Sequence, residues 1–312
     1  MAVRGLTISA HGGLEQLQLR DDLPMPALRA STDVRVRVRA AALNHLDLFV
    51  LEGLPGVTIT PGWVVAADAV GVVDAVGPAA AGVRVGDTVI INPGISDRTC
   101  RYCQQGEHPL CVSFGILGEH HPGTAAEYVV VPGFNVRAML IWGIGGGVAT
   151  AALQICKMRG AEVWVTSGSD EKLARARAMG ADHTLNHRTQ DIAREIRSAT
   201  GKAGVDVVVD NVGTATWKQS LAALGRRGRL VTCGGTSGPM VETDVRRLFW
   251  NQWSILGSTM GTDGDFDAIT AELRAGRLLP PVDRVFPLAQ GREAYARLQR
   301  GEQIGKIVLA VE

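Results

Sequence analysis

An α/β protein of two domains is predicted from this sequence: a β-rich domain first, then a doubly wound parallel sheet. Three observations predict it. The 312 residues suffice for two cores of ordinary size. Up to about Pro132 the chain is dominated by short β-type runs punctuated by glycine. From Leu140 onward, apolar strands alternate with amphipathic helices, the pattern of βαβ units.

Each element has its own signal. "VRVRVRAA" from Val34 alternates apolar and charged residues, the period of a half-buried strand, and "VGVVDAVG", "GDTVIINPG" and "AEYVVVP" are strand and turn. In the second domain "LIWGIG" precedes a helix to about Arg159, "EVWVTSG" precedes "DEKLARARAMG", and "VDVVVDNVG" precedes "ATWKQSLAALG". "GRLVTCGG" and "WSILGST" supply further strands. The tail, from "FDAITAELRAGRLLP" to "GKIVLAV", reads helix, strand, helix, strand and is expected to fold back onto the first domain. The predicted domains are therefore 1–137 completed by 260–312, with 138–259 between them.

Composition excludes several classes of function. With 32 Lys+Arg against 31 Asp+Glu, a net charge of +1 gives no field to attract nucleic acid or an anionic membrane. The most apolar run, Ala138 to Leu153, is too short and too rich in glycine to span a bilayer. "MAVRGLTISAHGG" lacks the apolar stretch of a secretory signal. Five cysteines, three of them clustered, suit a reducing compartment better than a disulfide framework. A cytoplasmic location is the expectation.

Gly143, Gly145, Gly146 and Gly147 lie between a predicted buried strand and a helix. Such a turn lets the backbone approach a pyrophosphate and aims free N–H groups and a helix N-terminus at it. A strict G-x-G-x-x-G would need glycine at Val148; Gly143, Gly146 and Ala149 fit a looser G-x-x-G-x-x-A form. The next strand ends Ser167, Gly168, Ser169, without the acid that would bind a ribose 2′-OH. Asp170 and Glu171 follow, but Ser169 in N-cap position puts them in a first helical turn. Hydroxyls together with Lys172 suit a 2′-phosphate, so NADPH is expected in preference to NADH.

"DRTCRYCQQGEHPLC" places Cys100, Cys103 and Cys111 at metal-loop spacing, with Asp97 where a fourth cysteine would complete the set. Carboxylate oxygen is an acceptable zinc ligand, so one aspartate and three cysteines form a sound closed site. The alternative is a lobe held by packing with its thiols reduced. His108 is a possible substitute ligand, although an exposed loop histidine is the plainer account. Cys156 and Cys233 are expected in the core.

With "AALNHLDLFVLEGLPG", "GVVDAVG", "GDTVI", "GTAAEYVVVP", "MGADHTLNH", "GVDVVVDNVG", "GRLVTCGGTSG", "SILGSTMG" and "GKIVL", the chain resembles the medium-chain dehydrogenase/reductase family of zinc alcohol dehydrogenases and quinone oxidoreductases. The resemblance implies a GroES-like β-barrel domain and a Rossmann domain, and it places Asn211 among the cofactor-binding residues. It also implies where a catalytic zinc would be held. Asn44 stands at the cysteine position, and Ala67 with Asp68 at the histidine–acid position. Asn44 is a poor zinc ligand and Ala67 is none, so no catalytic zinc is expected. The cysteine loop corresponds to the family's structural zinc lobe, with Asp97 in register with its first cysteine.

Without that metal, Asn44, His45 and Asp47 are the expected catalytic residues: resemblance to quinone oxidoreductases implies that Asn44 lines the substrate pocket, and His45 is either a donor of a proton or hydrogen bond or a cofactor-contacting or structural histidine. The tyrosine used by enoyl reductases of the family is missing near Pro55. The resulting reading is an NADPH-dependent reductase of quinones or activated C=C bonds. An alcohol or aldehyde dehydrogenase is the second reading, and a non-enzymatic NADPH-binding sensor or structural protein the third. A carbonyl, enone or quinone is the expected partner, in a homodimer or homotetramer. The join is anomalous: only "GFNVR" separates Pro132 from Ala138, where the family places several tens of residues. Either a segment near Val136 to Leu140 is skipped, or a deletion brings cofactor binding itself into question.

Overall fold

Residues 2–138 and 147–311 are described by the structure, a computed structural model, with the side chains of 136–138 left aside. The chain divides into two units, Met1–Gly147 with Gly261–Glu312, and Val148–Met260. Among the described residues no helix is long and apolar enough to cross a membrane.

The first unit opens with β1 (Ala2–Ile8), β2 (Gln18–Pro24) and β3 (Asp33–Ala42), followed by α1 (His45–Glu52), β4 (Trp63–Val64), β5 (Asp68–Val76), β6 (Thr88–Ile91) and β7 (Gly94–Ile95). The short helix α2 (Arg101–Gln104), then β8 (Gly115–Ile116), β9 (Tyr128–Pro132) and β10 (Val136–Ala138) complete its N-terminal part. Strand β3 is the spine. Its alternation buries Val34, Val36 and Val38 and turns Arg35 and Arg37 away from the core, as the period of two requires. It pairs antiparallel with β5 and with β9. Gly71 is needed on β5, because a Cβ there would overlap the carbonyl oxygen of Arg37. Val136–Ala138, which the sequence puts at the join, pairs antiparallel with β6.

The second unit contains α3 (Val148–Met158), β11 (Trp164–Ser167), α4 (Asp170–Ala178), β12 (His183–Asn186), α5 (Ile192–Ala199), β13 (Val205–Val209), α6 (Trp217–Ala223), β14 (Leu224–Thr232), α7 (Val245–Trp250) and β15 (Ser254–Gly257). Among the described residues its pairing is parallel: β11 with β12, and β13 with β14 with β15. The strand expected from Leu140, like Gly143, Gly145 and Gly146, lies outside the described residues, as do Met139 and Leu140 at the end of the stretch where a skipped segment or a deletion was expected. Helix starts follow capping chemistry: Ser169 accepts from the Lys172 N–H and Asp191 from that of Arg194. Trp217, Leu221, Leu224, Leu230 and Trp253 form one buried cluster.

The chain then returns to the first unit as α8 (Asp263–Arg274), β16 (Val282–Pro287), α9 (Gly291–Gln299) and β17 (Lys306–Ala310). β17 lies parallel to β16 and antiparallel to β3, matching Val308 to Ala42. Its Ile307 and Leu309 enter the same core as Val34, Ile91 and Tyr295. Truncating such a side chain to alanine costs about 2–5 kcal/mol, so the C-terminal strand is a structural part of the N-terminal domain.

Candidate functional site

Three strand ends meet in the first unit. Ala42, at the end of β3, pairs with Asp68 on β5 and with Val308 on β17, so the residues just beyond these pairs converge. Asn44 follows β3, Asp68 begins β5 and Lys306 begins β17. The Asn44 Nδ2 donates to Asp68 Oδ2 at 3.0 Å. Lys306 Nζ donates to Asn44 Oδ1 and lies 3.4 Å from Asp68 Oδ2. Asn44 and Asp68 are half-buried, whereas Lys306 is buried.

Asn44, His45 and Asp47 share the start of α1 but face different surroundings. Asn44 is its N-cap, and His45, the first helical residue, is exposed. Asp47 is buried and accepts the Asn44 backbone N–H at 2.6 Å. Burial pushes its carboxyl up to about 7, against the lowering effects of that hydrogen bond and the Lys306 charge. Asp47 therefore fixes the backbone of Asn44, the residue that caps its helix. The Tyr295 hydroxyl is also buried and has no hydrogen-bond partner among the described residues. Lys306 was not foreseen from the sequence; the only signal was a lysine opening an otherwise apolar terminal strand.

The cysteine loop comes together as a closed cluster. The ligand atoms of Asp97, Cys100, Cys103 and Cys111 lie within 4.8 Å of one another. Asp97 Oδ1 accepts the N–H groups of Thr99 and Cys100 at 2.8 and 2.9 Å, bending the chain so that Cys100 caps α2. Those backbone donors hold the Asp97 carboxyl well below the usual range. The Asp97 and Ser113 N–H groups point at Cys111 Sγ, at 3.3 and 3.4 Å. Burial, helped by the neighbouring thiols, pushes Cys103 up to about 11, while backbone donors, first that of Cys103, lower Cys100. One carboxylate and three sulfurs in a closed set suit a structural zinc.

His108 is neither exposed nor available as a ligand. Its Nε2 sits 2.9 Å from the Arg98 guanidinium, which can only donate, so that nitrogen accepts. Arg98 also binds Asp263 at 2.6 Å and stacks 3.8 Å over the Phe134 ring. Cys233 is likewise exposed instead of in the core, because β14 ends at Thr232 and leaves it in the following turn. Cys156 is half-buried on α3.

In the second unit, Ser167 ends β11, Gly168 follows and Ser169 caps α4, with Lys172 in its first turn. Gly147 and Val148 open α3 and are exposed. Asp170 accepts from Asn186 Nδ2 at 2.7 Å and so is engaged in a structural tie. A Cβ on Gly168 would stand 2.7 Å from Arg188 Nε and 2.9 Å from His187 Nε2. Two basic side chains missed from the sequence therefore cross the carboxyl end of β11, where doubly wound sheets bind their ligands. Asn211 lies in the turn after β13, its carbonyl facing the Thr236 N–H at 3.3 Å. Asp210 braces that turn by accepting from Val212, Gly213, Thr216 and Ser220. Burial alone would raise this carboxyl, yet those donors hold it below the ordinary range.

Comparison with known proteins joins these features. Residues 30–139 match the alcohol dehydrogenase GroES-like domain and 147–275 the zinc-binding dehydrogenase domain. A crystal structure of an NAD-dependent alcohol dehydrogenase superposes with a TM-score of 0.91 at 37% identity, covering 99% of this chain and 100% of that one. The chain belongs to the medium-chain dehydrogenase/reductase family. It is an NAD(P)-dependent medium-chain oxidoreductase with a GroES-like N-terminal domain and a Rossmann-type domain. A zinc-type alcohol dehydrogenase-like protein of Schizosaccharomyces pombe is 30% identical, with both chains covered in full. Human quinone oxidoreductase is 26% identical, over 98% of this chain and 97% of that one. The yeast alignment runs over 352 positions against 312 residues here, leaving 40 without a counterpart. These names favour the alcohol dehydrogenase reading, second in the sequence analysis, over the quinone reading placed first.

Proposed function

We propose that this oxidoreductase uses NADPH and reduces quinones or other conjugated carbonyl compounds, with its only zinc in the cysteine loop. The observation that carries the reading is Lys306. Its ammonium is hydrogen-bonded into the Asn44–Asp68 pair, so a fixed cation and an amide stand where the family resemblance puts metal ligands. A second cation there would be repelled, and Asn44 and Ala67 offer it no strong donor. Asp97, Cys100, Cys103 and Cys111 would hold the structural zinc, stiffening residues 97–111.

NADPH, when bound, supplies the hydride. Ser167, Ser169, Lys172, His187 and Arg188 would receive its 2′-phosphate, and the glycine-rich sequence from Gly143 to Val148 its pyrophosphate. No carboxylate partners the Arg188 guanidinium among the described residues, which leaves it able to pair with phosphate. Asn44 would donate to the substrate oxygen. His45, exposed beside it, or solvent would deliver the proton. Although the similar crystal structure is of an NAD-dependent protein, the end of β11 in this chain presents cations and hydroxyls instead of a free acid.

Alcohol or aldehyde dehydrogenation is the second reading, favoured by the names of the relatives. One assay separates the two: NADPH and NADH oxidation with a panel of quinones, enones and aldehydes, and the reverse reaction with alcohols. Turnover of quinones or enones with a preference for NADPH is expected. Turnover confined to alcohols and aldehydes would support the second reading, and tight NADPH binding without turnover a binding protein.

A further inference from the structure

The Asn44 carboxamide can point only one way. A lysine ammonium only donates and a carboxylate only accepts, so Oδ1 must face Lys306 and Nδ2 must face Asp68, as observed. One Nδ2 hydrogen is used on Asp68 at 3.0 Å; the second has no partner among the described residues. Lys306 is 7% exposed and begins β17, and its ammonium is bonded to Asn44 Oδ1 and lies 3.4 Å from Asp68 Oδ2. The backbone of Asn44 is fixed as well: its N–H donates to the buried Asp47 carboxylate at 2.6 Å, and its carbonyl oxygen accepts the Asp47 N–H at 3.1 Å.

We propose that Lys306 is a positioning residue that acts through Asn44: its charge on the carbonyl end polarises the carboxamide and strengthens the free Nδ2 hydrogen as a donor to the substrate oxygen. This rests on the reading above that Asn44 faces the substrate. The substrate carbon gains a hydride, with its two electrons, from the reduced nicotinamide; the π pair moves onto the substrate oxygen, a solvent proton completes the product, and the cofactor is left oxidised. Negative charge therefore grows on the oxygen that the Asn44 N–H meets. A hydrogen bond is strengthened when its donor group is polarised by a neighbouring charge in a site of low dielectric. The arrangement performs with a buried lysine and an amide what a metal performs as a Lewis acid.

A double-mutant cycle on the purified full-length protein tests this, with saturating NADPH and 1,4-naphthoquinone or cinnamaldehyde as acceptor. Asn44→Ala removes the donor and is expected to lower kcat by about 100-fold, the range for loss of one oxyanion donor. Lys306→Gln keeps a hydrogen bond to Oδ1 without the charge and is expected to lower kcat by about tenfold with little change in KM. Lys306→Arg, which keeps the charge, should recover most of that loss. Combined with Asn44→Ala, Lys306→Gln should have no further effect. An equal loss from Lys306→Gln in both backgrounds, or none in either, would overturn the proposal. Full kcat in Asn44→Ala would instead sink the underlying reading of Asn44. If Lys306→Gln does not fold because Asp68 is left unpaired, the neutral pair Asp68→Asn with Lys306→Gln removes that penalty; wild-type kcat in that folded variant would equally overturn the proposal.

Discussion

Two places in one domain stand where the family resemblance puts metal ligands, and they hold different groups. The loop of residues 97–111 replaces one cysteine by Asp97 and still gathers four donor atoms. The cluster at the ends of β3, β5 and β17 holds an amide, a carboxylate and an ammonium. On the proposed reading the sign of the replacement decides the outcome: one anionic ligand for another would leave a metal site intact, whereas a neutral amide with a fixed cation would remove its electrostatic basis. The contrast also shows two ways of building a site. The loop is assembled by hydrogen bonds within 15 residues of sequence, and the other cluster by strand pairing between segments 262 residues apart.

The largest effect expected from disturbing this contrast lies in the loop. Cys103→Ser should lose the bound metal and lower the melting midpoint by about 5–10 °C, of the order set by losing a structural metal ligand; metal analysis with calorimetry checks both. A variant that keeps its metal and its midpoint would mean that packing alone holds the lobe.

Asp47→Asn probes the other cluster through pH. The Asp47 carboxyl rises from 3.8 in its ordinary state to about 7 when folded, so the folded chain holds the proton more tightly. Its contribution is greatest at low pH and is lost as pH rises from about 4 through 7, at no more than about 1.4 kcal/mol per pH unit. Thermal melts from pH 5 to 8 should therefore show a decline in the wild type that Asp47→Asn flattens, leaving the variant the more stable at pH 8. Parallel curves would show that Asp47 does not titrate in this window.

Arg98→Ala should have a smaller effect, about 1–2 kcal/mol for a partly buried charged hydrogen bond, with hydrogen exchange rising around Asp263 and His108. Unchanged exchange there would mean that the Arg98–Asp263 pair does not anchor the loop. The smallest effect is expected at Tyr295. Its hydroxyl is buried without a partner among the described residues, so Tyr295→Phe should be neutral or slightly stabilising by up to about 1 kcal/mol; a clear loss in midpoint would reveal a partner for that oxygen.

How much was legible follows the same division. Local patterns were readable: the Val34–Val36–Val38 alternation, the Ser169 cap, the cysteine spacing and the missing acid after β11 all act over a few residues. Lys306 was not readable, because nothing near it in sequence says that β17 ends beside Asn44. Arg188 and His187 were hidden for the same reason, lying after β12 yet crossing Gly168 after β11. His108 was misread because its burial comes from Asp263 and Arg98, the former far away in the chain. Asp47 was placed correctly beside Asn44, but its inward orientation depends on α1 packing over the core that contains Tyr295.

The central claim is that zinc in this oxidoreductase is structural only. Anomalous scattering at the zinc edge, from crystals of the full-length protein grown with zinc and NADPH, tests it directly. One peak per chain is predicted, bonded to Asp97 and to the sulfurs of Cys100, Cys103 and Cys111. A peak within bonding distance of Asn44 Oδ1 or the Asp68 carboxylate, with Lys306 turned away, would contradict the account.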